Sequence, residues 1–373
     1  MDRVNITIIG AGVIGLAIAA ELSRDFDDIL VIEKHDDFGR QTSSRNSEVI
    51  HSGIYYPPNS LKAELCVKGA EMLYRYCIRH GIAHRRLGKL IIATREPEIK
   101  QLEELYNLGR LNGVNDLTFM QENEVARLED NVNAICALFS PNTGIIDSHG
   151  LMKQLFGEAQ GTGVTFSFNE EVTFIEKGAD GYVVGIKSDG YRFMSNVVIN
   201  AAGLWADRIA ELIGIDVDGA GYRLHYYKGS YFSYAKRSPV QRLIYPVPEK
   251  DLKGLGVHAT LDMGGRLRFG PDTEYVDDID YVVDTSKRDR FYEGACKIIR
   301  GIEKEALVAD MAGIRPKIKG EGVKDFIIEH EAKRGLEGFV NLIGLESPGL
   351  TASLAIAAKV KEIIDSISIA KRV

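Results

Sequence analysis

The feature that most constrains this chain is Gly10-Ala11-Gly12-Val13-Ile14-Gly15, set between a β-branched run (Asn5 to Ile9) and an apolar helical pattern (Gly12 to Ser23). A second strand-like run, Ile29 to Glu33, follows and ends in an acid. Together they read as one βαβ unit. In such a unit the first glycine permits a tight turn, the second lets backbone amides approach a pyrophosphate, and the third allows the helix to pack closely. Glu33 is placed to bind a ribose 2′-hydroxyl, and its charge disfavours a 2′-phosphate. A glycine turn made only for packing would explain the glycines and leave Glu33 unexplained. The motif predicts a dinucleotide site without separating FAD from NAD.

The rest of the chain narrows the class. Its 373 residues allow two to three domains at about 150 residues each. With 45% hydrophobic and 27% charged residues it reads as an ordinary globular protein, which excludes a disordered or collagen-like chain. A net charge of −7, from 46 basic and 53 acidic residues, carries no overall footprint for nucleic acid. Cys66, Cys77, Cys136 and Cys296 lie far apart with no C-x-x-C pair, so reduced, mostly buried thiols are expected and neither a metal site nor a disulfide framework. The opening MDRVNITIIGAG shows no secretory cleavage site, and Val13 to Ala20 is too short to span a bilayer. These features predict a cytoplasmic protein, at most peripheral on the inner face of the membrane.

Helical spacing is expected over Leu61 to His80, with Leu65, Gly69, Met72 and Tyr76 on one face, and over Glu96 to Leu111 behind an early proline. A helix from Leu151 to Gln160 precedes strand runs at Val164 to Phe168, Val172 to Glu176, Tyr182 to Ile186 and Asn196 to Ala201. Between Tyr222 and Arg290 the sequence turns aromatic and strand-like (YRLHYYKGSYFSY, LIYPVP, RLRFGP), which predicts an antiparallel sheet. The cluster Tyr74 to Leu90, with Arg75, Arg79, Arg85, Arg86 and Lys89, reads as a helix with a solvated basic face followed by a strand, ahead of a patch for an acidic partner.

Two further segments favour FAD. VVINAAGLWADRIA (197–210) is a strand ending in small residues, which lets an extended cofactor pass close to the backbone. NLIGLESPGLTAS (341–353) is a strand running into a helix whose opening amides can stabilise negative charge.

The assembly of GAGVIG, VIEK, TSSRNSEVIHSGIYY, NAAGLWA, GIRPK and ESPGLTAS resembles the D-amino-acid-oxidase-like FAD-dependent oxidoreductases. Within them it is most similar to the L-2-hydroxyglutarate dehydrogenase/oxidase group, through 43–66, 243–260 and 344–357. The glycerol-3-phosphate branch usually lacks the Tyr-Tyr present here as Tyr55 and Tyr56. Two departures stand out: Arg45-Asn46-Ser47-Glu48-Val49 where the group reads His-Asn-Ser-Gly-Val, and Lys228-Gly229 where it reads Arg-Gly. Lysine lacks arginine's bidentate fork.

The resemblance implies an α/β protein (α+β taken whole): a Rossmann-like FAD-binding domain from 1–85, 147–215 and 319–373, and a smaller antiparallel-sheet substrate domain from 86–146 and 216–318. It implies FAD contacts from Gly10, Gly12, Val13, Ile14, Gly15, Glu33 and Lys34. Further contacts fall to Thr42, Ser43, Ser44, Asn46, Ser47 and Val172, and then to Ala202, Gly203, Trp205, Gly313, Ser347, Gly349, Leu350 and Thr351.

Oxidising a secondary alcohol needs a hydride acceptor, a base and a cation for the substrate carboxylate. His51 is the candidate base, since imidazole titrates near neutral pH; attachment of FAD to it, as in the dimethylglycine-dehydrogenase branch, is a lesser alternative. Arg315 is the candidate carboxylate clamp. His258 is assigned to a carboxylate or to a share of the base role, with an ordinary strand histidine as the competing reading. Tyr55, Tyr56, Lys228 and Ser347 complete the expected substrate pocket, Ser347 being equally plausible as a helix N-cap.

The function expected is FAD-dependent oxidation of an L-2-hydroxy acid, with L-2-hydroxyglutarate first. An anionic small molecule is the substrate, and a quinone, another acceptor or oxygen takes the electrons. A glycerol-3-phosphate or amino-acid oxidase on the same fold, and a non-catalytic flavin-binding protein, are the alternatives.

Overall fold

The computed structural model describes residues 1–248 and 257–367. The chain forms two compact units: 1–44, 148–226 and 315–373 make the first, and 45–147 and 227–314 the second.

The first unit is built on a parallel core. Arg3–Ile9 pairs in parallel with Ile29–Ile32 on one side and Arg192–Asn200 on the other, and these pair in parallel with Thr165–Ser167 and Phe339–Ile343. A hairpin of Val172–Gly178 and Gly181–Ile186, and the strand Ile327–His330, extend the sheet antiparallel. The helix Val13–Leu22 is apolar almost all round and buried accordingly, with Leu16, Ile18 and Leu22 fully enclosed. It packs against Ser148–Gly161 and Gly349–Asp365. The strand Asn5 to Ile9 and the helix Leu350 to Ile364 expected from the sequence are found within two residues at each end.

In the second unit a nine-stranded sheet is predominantly antiparallel. Leu243–Pro246 is an exception and lies parallel to Lys89–Ala93. The core beneath it joins Leu90, Ile92, Phe232, Ile244, Phe269 and Phe291. Helix Leu61–His80 matches its expected bounds, because both ends are chemically marked. The Ser60 hydroxyl accepts the Ala63 N–H at 3.1 Å, and Gly81 closes the helix at φ 67°. Its buried face is Leu65, Gly69, Leu73 and Cys77, one residue rotated from the expected Met72 and Tyr76.

The division of the chain differs from the expected one. Residues 45–85 belong to the second unit, since Val49–Ile50 and His84–Arg85 both pair with Gly144–Ile146, Ser140 donates a hydrogen bond to the Ser52 hydroxyl, and Ile54 packs with Ile91 and Leu138. Residues 216–226 stay in the first unit because Val217, Tyr222 and Leu224 pack on Ala206, Ala210 and Ile343. The second unit, expected to be the smaller, takes in slightly more of the chain. The basic cluster is also split: Arg75, Arg79, Arg85 and Arg86 are exposed as expected, but Lys89 is 1% exposed, on a strand buried along its whole length.

Candidate active site

In the first unit the glycine motif does what its residue types demand. A Cβ on Gly15 would stand 1.9 Å from the Gly10 carbonyl oxygen, and one on Gly10, whose φ is 104°, would stand 2.6 Å from that of Ala201. Only glycine permits this approach of turn, helix and neighbouring strand. Gly12 caps the helix with no side-chain hydrogen bond. The Val13 N–H instead donates to the Ser43 hydroxyl at 2.9 Å, from a single helical turn, Thr42–Ser44, whose Ser44 hydroxyl donates to the Gly39 carbonyl. Glu33 is buried and accepts the Ala11 N–H at 2.8 Å and the His35 N–H at 3.0 Å. Beside it the Lys34 ammonium lies over the Trp205 ring, and burial lowers its pKa to about 8 against the pull of Glu171 and Glu33. Val172 is buried in the core that holds Ile9 and Ile32.

The carboxyl ends of two neighbouring strands are tied by a buried polar network. Asn200 donates to the Ala206 carbonyl at 2.7 Å and to the Asn341 side-chain oxygen at 2.8 Å, while its own oxygen accepts the Ala202 N–H at 3.3 Å. Asn341 and Tyr222 both donate to Glu331, which also pairs with Arg334. This fixes the Ala202-Gly203 turn, with Gly203 at φ 56°, and the strand leading to the last helix. That helix begins at Gly349 with Pro348 as N-cap and no side-chain cap, which sets its positive N-terminal end at Leu350 and Thr351. Ser347 stands one residue ahead of the cap and is not the N-cap its sequence position suggested. Arg315, half-buried on the strand Leu307–Ile318, makes no side-chain hydrogen bond or ion pair among the described residues.

The second unit gathers His51, Tyr55, Cys66, Lys89, Tyr245 and His258. The Cys66 thiol donates to the His51 carbonyl at 3.7 Å, and the His51 Nδ1 is closed off from solvent. The Lys89 ammonium lies 4.6 Å from the Tyr55 ring centre and 5.0 Å from that of Tyr245, and the His258 ring stacks on Tyr245 at 3.9 Å and 12°. The Tyr55 hydroxyl is buried with no hydrogen-bond partner among the described residues. Burial lowers the Lys89 pKa to about 7, raises that of Cys66 to about 12 and lifts that of Tyr55 well above its ordinary value. The Tyr56 carbonyl accepts from Asn112 at 2.8 Å.

Asn46, Ser47 and Gly313, expected among the cofactor ligands, lie in this second unit. Asn46 accepts the Glu48 N–H, Ser47 shares a 2.8 Å hydrogen bond with the Tyr231 hydroxyl, and a Cβ on Gly313 would stand 2.1 Å from the Arg45 carbonyl oxygen. Glu48 holds φ 56°, a left-handed conformation that explains why the resembled group carries glycine there. Lys228, expected in the substrate pocket, is committed elsewhere: its ammonium pairs with Asp280 at 2.5 Å and donates to the Val282 carbonyl at 2.6 Å. Of the 243–260 motif, residues 249–256 lie outside the described residues.

A family model described as FAD dependent oxidoreductase matches residues 5–363. The chain belongs to this family. Over 95% of its length it is 40% identical to the mitochondrial L-2-hydroxyglutarate dehydrogenase of Arabidopsis thaliana, covering 82% of that protein. It is also 33% identical to the glycerol 3-phosphate dehydrogenase of Caloramator mitchellensis, over 98% of this chain and 74% of the relative. Among solved structures, L-α-glycerophosphate oxidase from Mycoplasma pneumoniae with FAD bound matches at a TM-score of 0.89 and 28% identity, covering 100% of this chain and 97% of the other.

FAD is therefore the cofactor of this oxidoreductase, and the residues present fit it. A glycine turn that any Cβ would fill, an uncapped helix start at Gly12 and a buried Glu33 are the donors and the acid that a pyrophosphate and a ribose require. Sequence reasoning did not anticipate the burial of Lys89 beside the Tyr245 ring, nor the pairing of Asn200 with Asn341. The two asparagines had a signal in the repeated Asn-x-x-Gly, at Asn200 to Gly203 and Asn341 to Gly344. Lys89 had none, because a lysine behind four exposed arginines looks like one more surface cation.

Proposed function

We propose that this flavoenzyme oxidises L-2-hydroxyglutarate to 2-oxoglutarate. The observation that carries the substrate is the 40% identity to the plant dehydrogenase along nearly the whole chain, against 33% to the glycerol 3-phosphate enzyme. FAD, when bound, supplies the acceptor for the hydride leaving C2. His51 takes the hydroxyl proton, so that the C2 oxygen becomes a carbonyl as the hydride departs. Arg315, with no protein counter-charge among the described residues, clamps the carboxylate next to the reacting carbon through its planar fork. The positive N-terminal end of Gly349–Asp365 stabilises negative charge developing beside it.

Glycerol 3-phosphate is the second reading, favoured by the fold likeness to the glycerophosphate oxidase. The test is anaerobic bleaching of the purified holoenzyme by L-2-hydroxyglutarate, its D-enantiomer, glycerol 3-phosphate and amino acids, each alone. Bleaching by L-2-hydroxyglutarate is the expected result; bleaching by glycerol 3-phosphate and not by the hydroxy acid overturns the substrate assignment. Repeating turnover with oxygen, a quinone or a dye identifies the acceptor. The cytoplasm is the proposed compartment, supported by four free cysteines of which three are buried, a pattern suited to a reducing environment; cell fractionation tests it.

A further inference from the structure

Lys89 is a buried charge with no counter-ion among the described residues. It opens a strand that is buried throughout, between Cys136–Ser140 and Leu243–Pro246. The groups that face its ammonium are the Cys66 thiol from helix Leu61–His80, the Tyr55 ring ahead of that helix and the Tyr245 ring from the neighbouring strand, with His258 stacked behind Tyr245 and His51 bonded through its carbonyl to Cys66. None of these is an acid, and among the described residues the ammonium has no ion pair. A buried amine without a counter-ion opposes folding, and an aliphatic side chain would fill the position better. The hydroxyl of Tyr55, whose ring faces the ammonium, is likewise buried without a hydrogen-bond partner among the described residues. A buried cation without a counter-ion and a buried hydroxyl without a partner, both carried by this cluster, point to a ligand that satisfies both.

We propose that Lys89 is the specificity residue for the distal carboxylate of a dicarboxylate substrate, which its ammonium binds between the Tyr55 and Tyr245 rings with the Tyr55 hydroxyl as second donor. The assignment rests on the 2-hydroxy dicarboxylate reading above. Aromatic walls, with no competing acid among the described residues, make one added anion worth more here than at a wet surface. With the free amine held down at about 7, binding of the dianion draws a proton onto Lys89. Affinity therefore falls as pH rises above about 7.

The test uses the FAD-loaded enzyme, wild type and Lys89→Met. Three probes are compared: L-2-hydroxyglutarate; glutarate, which keeps both carboxylates and cannot react; and L-2-hydroxybutyrate, which lacks the distal carboxylate. Lys89→Met should raise KM for L-2-hydroxyglutarate and Kd for glutarate about 10- to 100-fold, as for a lost charge-assisted pair. It should leave L-2-hydroxybutyrate within about twofold, and melt no lower than wild type. Equal losses for all three probes, no loss for any, or a fall in kcat at unchanged KM would each overturn the proposal. Should L-2-hydroxyglutarate fail to bleach the wild-type flavin, the substrate reading fails on its own, and glutarate binding to the two proteins still decides the role of Lys89. Should Lys89→Met not fold, Lys89→Gln replaces it; a wild-type glutarate affinity that stays flat between pH 6 and 9 also overturns the assignment.

Discussion

The two units treat buried polar groups in opposite ways. In the first, Asn200, Asn341, Glu331 and Tyr222 are buried and satisfy one another, and Glu33 is taken up by two main-chain amides. In the second, Lys89 is just as deeply buried and, among the described residues, its ammonium faces two aromatic rings and a thiol and has no ion pair. A closed network stiffens the scaffold that holds a cofactor, whereas an open one stores binding capacity for something that comes and goes. The difference separates scaffold from substrate chemistry without reference to motifs.

The largest effect is expected where chemistry, and not stability, is lost. His51→Ala should slow flavin reduction by about 10²- to 10⁴-fold, or about 3–5 kcal/mol of barrier, with FAD retained. Stopped-flow absorbance under anaerobic conditions measures it, and a near-normal rate removes His51 as the base. Next comes the closed network. Glu331→Ala strands the buried Asn341 and Tyr222 donors and should cost about 3 kcal/mol of folding stability, read by chemical denaturation. The rate per bound flavin should stay close to wild type. If that rate collapses instead, the network is part of the chemistry and the contrast between the units fails.

How far these assignments were legible from sequence follows the same division. The βαβ opening, the last strand and helix, and the Ser60-to-Gly81 helix were all readable, because local chemistry fixes them: glycines where a Cβ clashes, caps that accept or donate, apolar spacing. The unit boundary near Arg45 was not, since it depends on Val49–Ile50 pairing with a strand about 95 residues later, a register that no local pattern encodes. The Lys228 pairing with Asp280 and the burial of Lys89 were hidden for the same reason. A lysine's role depends on what surrounds it, and those partners come from remote strands.

The contrast sharpens further with pH. Lys89 has an ordinary pKa of 10.5 when unfolded and about 7 when buried. Between those values the unfolded chain binds more protons, so stability should rise with pH across that window; below about 7 both states are protonated and the slope vanishes. From pH 7 to 9, below the ordinary titration of tyrosine, the gain should be about 2 kcal/mol by denaturant titration of wild type relative to Lys89→Met. A difference that does not change with pH would mean that the amine is solvated.

The smallest effect has the opposite sign to most core substitutions. Tyr55→Phe deletes a buried hydroxyl that has no partner among the described residues, so the folded state loses a desolvation cost and no hydrogen bond. The variant should be as stable as wild type or up to about 1 kcal/mol more stable, a result that thermal unfolding of the holoenzyme can read. Its ring still covers the Lys89 ammonium, so the cation–π contact survives and only the donor to an incoming anion is gone. Weaker glutarate binding in a protein of equal or greater stability would show that the hydroxyl is kept for the ligand. Loss of stability would instead place Tyr55 with the satisfied groups of the scaffold.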